Sequence, residues 1–272
     1  MTEKYLSQIF IYPIKSLAGI SLESTELTAR GPKWDRRWML VDENGRFLSQ
    51  RELGQMALLQ VQLADDHLRV EDRRGGRPDL KIPLASTAGS EIPVTIWNDR
   101  CTAVTVSVDA DRWFSEALGH SCRLVYMPED SFRPVDPAYA AGPEFVSFAD
   151  GYPYLILGEA TLKHLNERLE TPIEMLRFRP NLVFSGGHAF EEDEWQHFKV
   201  GQVRFRGTKP CARCQIPTID PQTGIGAKEP TRTLATFRRK GNNIYFGMNA
   251  CWSLDNSAAG RWVHLGDKIL LE

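Results

Sequence analysis

A chain of 272 residues with a formal net charge of −2 presents no global basic field, so wholesale binding to nucleic acid or to a membrane surface is not expected. Its 42% apolar and 25% charged residues are ordinary globular values, with length for one large domain or two ordinary ones. No apolar run is long enough for a transmembrane helix, the N-terminus lacks a signal-peptide layout, and five cysteines are too few and too odd for a disulfide framework. A cytoplasmic, reducing location is therefore expected.

In chain order the first half reads mainly as short strands. "SQIFIYPI" and "SLESTEL" show alternation or short apolar runs, and "RRWMLVDENGRFLSQ" reads as a hairpin. Its turn is expected at Asp42–Gly45, with Asn44-Gly45 supplying positive φ angles. "ALLQVQLADDHLRVEDRRGGRPDLKIPL" and "IPVTIWNDRCTAVTVS" continue the strands. "DADRWFSEALGH" reads as a short helix with Asp109 as N-cap and Gly119 as terminator, followed by the strand "CRLVYMP".

Residues 128–150 carry four prolines and little periodicity, which marks a linker or long ordered loop. Beyond it, "EATLKHLNERLETP" reads as an amphipathic helix with Leu162, Leu165 and Leu169 on one face. "FRPNLVFSG", "WQHFKVGQVRFRGT" and "IPTIDPQTG" read as strands and turns, "TRTLATFRRKG" as a helix, and "NIYFGMNACWSLD" with "RWVHLGDKILLE" as closing strands. The expected class is β-rich α+β, divided into residues 1–127 and 128–272. Regular strand–helix alternation is missing, as are GxGxxG and GxxxxGK[ST], so nucleotide binding by those routes is excluded.

The chemistry concentrates in "GTKPCARCQIPTIDPQTG", residues 207–224, where Cys211 and Cys214 stand three apart. A structural zinc site takes four ligands, commonly from two such pairs. No second pair follows, and Cys251, His188, His197 and His264 could supply ligands only singly. A redox dithiol sits where a strand meets a helix, but the prolines after Cys214 leave no helix start there. Two thiols packed as small hydrophobes remain a third reading. Lys209 and Arg213 make the surroundings electropositive, which favours a thiolate, both nucleophile and soft-metal ligand.

"KPCARCQIPTIDPQTG" resembles the signature of MOSC domains, in the form found in mitochondrial amidoxime-reducing components and their bacterial relatives. "IYPIKSLAGISLESTELTARGPKWDRRWMLVDENGRFLSQRE" resembles the β-barrel-like domain that precedes MOSC in those proteins. "FADGYPYLILGEATLKHLNERL", "RFRPNLVFSGG", "KEPTRTLATFRR" and "YFGMNACW…GDKILL" match further blocks in order, so the resemblance covers nearly the whole chain. It implies an N-terminal β-barrel-like domain followed by a MOSC β-barrel with a few short helices, and a cofactor site at their interface.

The resemblance also implies a molybdenum cofactor, a molybdenum–pyranopterin, with Cys214 as the protein's metal ligand and catalytic residue and Cys211 as a neighbour. Lys15, Ser16 and Arg36 match positions that contact the cofactor's phosphate, Arg179 and Asn181 match pterin-contacting positions, and Asp150, Gly151 and Tyr152 fall on a loop that offers mostly backbone. Arg213 completes the expected cofactor-binding set. The implied activity is a detoxifying, pyridoxal-phosphate-independent reduction of amidoximes, hydroxylamines and N-hydroxylated base analogues. The alternative is a cofactor or sulfur carrier using Cys214. No C-x4-C-x2-C spacing for an iron–sulfur cluster is present, so a separate ferredoxin or flavin reductase is the expected electron donor. Taken singly, Lys15 and Arg36 also read as solvated charges, Arg37 and Arg51 as surface or salt-bridge residues, and Asp220 as part of a turn.

Overall fold

A computed structural model describes residues 3–85, 89–253 and 261–272. Leu254 and Asp255, at the end of one expected strand, lie outside the described residues. Seven strands close into a barrel in the order Tyr154–Gly158, Leu182–Ser185, Lys4–Ile11, Lys268–Leu271, His197–Val200, Val203–Ala212 and Asn243–Trp252, the last pairing back onto the first. The step from Tyr154–Gly158 to Leu182–Ser185 is parallel, and the helix Glu159–Asn166 lies in its crossover. The other steps are antiparallel.

The extreme N-terminal strand is therefore a stave of a barrel built otherwise from the second half of the chain. A register shift between Leu6 and Gln8 brings Leu6 and Ile9 into one core with Phe184, Phe198, Phe205 and Tyr154, where the Phe198 and Phe205 rings stack 5.2 Å apart. Leu165 of the crossover helix is buried against the outside of the barrel, with Leu162 and Leu169 packed beside it, as the spacing of the three leucines requires.

The remainder of the first half folds around Trp38. A four-stranded sheet runs in the order Trp38–Val41, Arg123–Tyr126, Asp99–Thr105 and Glu91–Ile96, beside a meander of Leu59–Leu63, His67–Asp72 and Leu80–Pro83. The helix Val108–Leu118 covers the shared core with Phe114 and Leu118. The whole is β-rich α+β, as the element pattern requires.

Three local expectations are corrected. The N-cap of Val108–Leu118 is Ser107, not Asp109: Ser107 is extended, and its Oγ accepts from the Ala110 N–H at 3.1 Å. Asp109 lies within the first turn, while Gly119 terminates the helix at φ 58° as expected. In the 42–45 turn only Gly45 is left-handed, because the Asp42 carboxylate accepts the Asn44 and Arg46 N–H groups and closes the turn without a second positive φ. After Cys214 the chain makes one 3₁₀ turn, Ile216–Thr218, so a short helical piece does start there despite the prolines.

Residues 128–150 are an ordered loop held by one buried cation. Arg133, 1% exposed, pairs with Asp99 at 2.9 Å and donates to the carbonyls of Ser147, Ala149 and Asp150. A guanidinium that is always charged and offers a rigid fork of donors suits this task. It sets the backbone of 147–150, which forms one lip of the cleft described next.

Candidate functional site

The cleft lies where the "YPIKS" turn, the Arg36 and Gln50–Arg51 segments, the 149–152 loop, the "FRPN" turn and the Cys211–Cys214 segment meet. Every residue nominated from sequence lines it: Lys15, Ser16, Arg36, Asp150, Gly151, Tyr152, Arg179, Asn181, Arg213 and Cys214, around a cavity of about 130 Å³. Gln50, Arg51 and Cys211 line it too.

Lys15 is 5% exposed, and Ser16 beside it is left-handed at φ 68°. The Lys15 Nζ donates to the Phe148 carbonyl at 2.7 Å and to Asp150 Oδ1 at 2.6 Å. Burial pushes the Lys15 ammonium down to about 8, with Asp150 pulling it partly back. Burial alone would raise the Asp150 carboxyl, but Lys15, then Arg51 and the Trp97 indole N–H, outweigh it and hold the acid far below its usual range. Lys15 is thus a buried, partnered cation and not a solvated one.

Deeper in, the Tyr12 ring is sandwiched between two guanidiniums, Arg36 at 4.2 Å and Arg179 at 4.1 Å from its centroid. Asp35, fully buried behind it, accepts from the Tyr12 N–H at 2.8 Å and from Arg36 Nη1 at 2.7 Å. Burial raises the Asp35 carboxyl against the pull of Arg36. Arg179 is left-handed at φ 55°, which turns its side chain back toward Leu17, whose carbonyl accepts from Nη1 at 2.7 Å. Burial, and then Arg36, lower Arg179 to about 10, and its Nη2 is buried with no partner among the described residues. Tyr12 and Asp35 were not singled out from sequence, since neither belongs to a motif by itself.

At the other end the strand Val203–Ala212 runs out beside Asn243–Trp252 and delivers Cys211 and Cys214 to the cleft. Arg51 Nη2 lies 3.1 Å from Cys214 Sγ, and the Ile216 N–H approaches the same sulfur at 3.4 Å. Arg51 is the salt-bridge residue that the sequence allowed, 3.6 Å from Asp150, but not an ordinary surface charge, since it also reaches Cys214. Its guanidinium also stacks on Trp97 at 4.5 Å. Trp97 is 46% exposed, left-handed at φ 56°, and donates from Nε1 to Asp150 Oδ1 at 3.3 Å.

Cys211 occupies a different setting, with Arg213 Nη1 at 3.1 Å from its sulfur while Arg213 Nη2 donates to the Phe178 carbonyl at 2.7 Å. The Arg213 Nε is buried without a partner among the described residues. Lys209 does not share this ground, contrary to expectation. A register shift between Pro210 and Ala212 breaks the alternation that would keep it on the face of Cys211, and its Nζ goes to the Tyr139 ring at 4.0 Å and Asp136 at 3.8 Å.

Asn181 lines the floor, but its side chain is committed to the barrel: Nδ2 donates to the Phe10 carbonyl at 3.2 Å and Oδ1 accepts from the Leu155 N–H at 3.2 Å. Gly151 has no atom within 4 Å of where a Cβ would stand, so its value is not steric. The Tyr152 hydroxyl is buried without a partner among the described residues. Arg37 pairs with Glu129 at 2.8 Å, and Asp220 with Arg177 at 2.7 Å and the turn N–H groups of Gln222 and Thr223, both outside the cleft. A wider, open cavity of about 760 Å³ adjoins it, sharing Gln50, Arg51, Arg213 and Cys214 with the first.

Comparison with known proteins agrees with this layout. Residues 3–121 match the MOSC N-terminal beta barrel domain and residues 143–270 the MOSC domain. Mitochondrial amidoxime-reducing component 1 of Mus musculus is 33% identical over 86% of this chain and 71% of its own length, and its Homo sapiens counterpart is 30% identical over 86% and 72%. The molybdenum cofactor sulfurase of Oryza sativa subsp. japonica is 30% identical over 99% of this chain, which spans only 36% of that larger protein. With both domains matched in order and the relatives aligned across them, this chain belongs to the MOSC family, in its two-domain form with an N-terminal β-barrel domain.

Proposed function

We propose that this protein binds the molybdenum cofactor in the cleft and reduces N-hydroxylated compounds, such as amidoximes and hydroxylamines, to amidines or amines. The balance for a hydroxylamine is R–NHOH + 2e⁻ + 2H⁺ → R–NH₂ + H₂O, with electrons from a separate ferredoxin or flavin reductase. One observation carries the reading. A cysteine sulfur with donors on one side faces a cleft whose cations, Lys15, Arg36, Arg51, Arg179 and Arg213, exceed the carboxylates Asp35 and Asp150. The buried, partnerless Arg179 Nη2 and Arg213 Nε are the donors an anionic, hydrogen-bonding ligand would satisfy. The residues present therefore fit a phosphate-bearing group with a thiophilic metal.

When bound, the cofactor supplies the two-electron, oxygen-accepting chemistry. The chain supplies placement. Cys214 would hold the metal, and Arg51 with the Ile216 N–H fixes the direction of its sulfur. Lys15, Ser16 and Arg36 would hold the phosphate, with Asp35 keeping the Arg36 fork in place. Arg179 and Arg213 would serve the pterin, the 150–152 loop would offer backbone groups, and Asn181 ties the floor to the barrel. A reducing, cytoplasmic setting is part of the proposal, on the low and odd cysteine count of the sequence.

The test is purification from a host that makes the cofactor, with molybdenum and oxidised-pterin fluorescence measured beside amidoxime reduction by an artificial donor. Near-stoichiometric metal with turnover is expected. Bound cofactor without turnover would mean a carrier, and neither metal nor turnover after reconstitution would remove the reading altogether.

A further inference from the structure

The cavity beyond Cys214 has a charge character that the cofactor reading does not use. Cys214, Arg51, Gln50 and Arg213 line both cavities, so whatever enters the outer one comes up to Cys214 beside the cofactor cleft. The outer lining also holds Lys228, Thr231 and Arg232, and it contains no aspartate or glutamate. Arg232 is neutralised by Glu229 at 2.6 Å, and Arg51 shares Asp150 at 3.6 Å. Lys228 is exposed and has no ion pair among the described residues. Arg213 points its guanidinium at a sulfur and a carbonyl, not at a carboxylate. The Thr231 Oγ1 is buried with no partner among the described residues, a free hydroxyl on the same wall.

We propose that this outer cavity is the substrate site and that it selects N-hydroxylated compounds carrying a negative charge, a carboxylate or phosphate, over cationic ones. The proposal rests on the reductase reading above and names its substrate class. The physical reason is direct: with Lys228 uncompensated and no acid in the wall, an anionic substituent gains Coulomb energy on entry and a cationic one loses it. The same field acts on products. Amines and amidines are protonated near neutral pH, so reduction converts a neutral reacting group into a cation that this wall repels, which assists release. In a cavity open to solvent the interaction is screened by salt.

The experiment uses the cofactor-loaded protein, a viologen reduced by dithionite as donor, and three substrates: benzamidoxime, its 4-carboxylate and its 4-trimethylammonium derivative. At low ionic strength kcat/KM is expected to favour the carboxylate over the trimethylammonium compound by roughly tenfold or more, with benzamidoxime between, and added salt should narrow the gap. Lys228→Glu should lower kcat/KM for the carboxylate several-fold more than for benzamidoxime. Because Lys228 is exposed, this substitution spares the fold. Equal or reversed preference in the unmodified protein overturns the proposal, as does a preference that Lys228→Glu leaves unmoved. If none of the three is turned over, calorimetric binding of the same compounds to the oxidised protein separates the two ideas. The same order of affinities keeps the anion-selective cavity while the reductase reading falls, and no order removes both.

Discussion

The two ends of the cleft are built on opposite principles. At the inner end, Arg36 and Arg179 clamp the Tyr12 ring and Asp35 is fully buried behind them. Each cation there is fixed by a carbonyl, a carboxylate or a ring. At the outer end, among the described residues, Cys214 is held only by Arg51 and one backbone N–H, and Arg51 leans on the half-exposed Trp97. The difference separates two tasks: a rigid cation cage suits holding an anion permanently, and a sulfur with few neighbours suits a position where ligands come and go. Substitutions at the two ends should therefore fail differently, the inner ones through stability and cofactor retention, the outer ones through turnover.

The largest effect is expected at the sulfur. Cys214→Ser should abolish turnover, a loss of roughly 100-fold or more, because a hydroxyl is a poor ligand for a soft metal. Cys211→Ser should stay within about threefold, since serine still accepts the Arg213 hydrogen bond. Equal losses would restore a symmetric role for the pair. At the inner end, Asp35→Asn removes the charge between the Tyr12 N–H and Arg36, and breaking a buried pair in this way costs about 3 kcal/mol or more. Denaturant unfolding of the cofactor-free chain measures it. Unchanged stability would mean that the Arg36 clamp is held by other contacts.

Much of this cleft was legible in the sequence because its parts sit in contiguous motifs. "YPIKS", "DRR", "FRPN" and "CARC" each carry their chemistry in adjacent residues, and the fold brings all of them to one cavity. Residues whose roles arise only on closure were not legible. Arg51 reads as one more charge until the first half packs against the second and sets it 3.1 Å from Cys214. Tyr12 reads as strand apolar until two arginines from distant segments cover its faces. Lys209 erred the other way: adjacency to Cys211 placed it in the site, and a register shift in the strand between them took it out. The Ser107 cap was missed for a smaller reason, that two capping residues stood two apart and the charged one drew attention.

Lys15 predicts a pH dependence of intermediate size. Folding lowers the Lys15 ammonium from 10.5 to about 8, so between those values the unfolded chain holds more protons than the folded one. Lys15 therefore costs stability below about pH 8, and the cost is relieved as pH rises toward 10.5. Anion binding runs the opposite way. As Lys15 deprotonates above about pH 8, cofactor retention should weaken by up to tenfold per pH unit, until the liganded Lys15 would itself titrate. Dialysis at a series of pH values with pterin measured afterwards tests the sign, and Lys15→Met should give a weaker but flatter profile.

The smallest effect is expected at Trp97, where fold and function can be pulled apart. A tryptophan at φ 56° is a poor conformational choice, since left-handed backbone costs a bulky residue about 1 kcal/mol or more that glycine does not face. Its ring packs on Arg51 and edge-on against Phe47, 5.0 Å between centroids, while nearly half its surface stays in solvent. Trp97→Gly relieves the strain and removes an exposed cation–π contact of roughly 0.5–1 kcal/mol. Global stability should hence change by no more than about 1 kcal/mol. Arg51, however, loses the face that aims it at Cys214, and turnover should fall a few-fold with molybdenum content retained. A loss of stability with turnover per bound metal unchanged would make Trp97 a packing residue. The opposite split would make the strained backbone part of how the outer end of the cleft holds its sulfur.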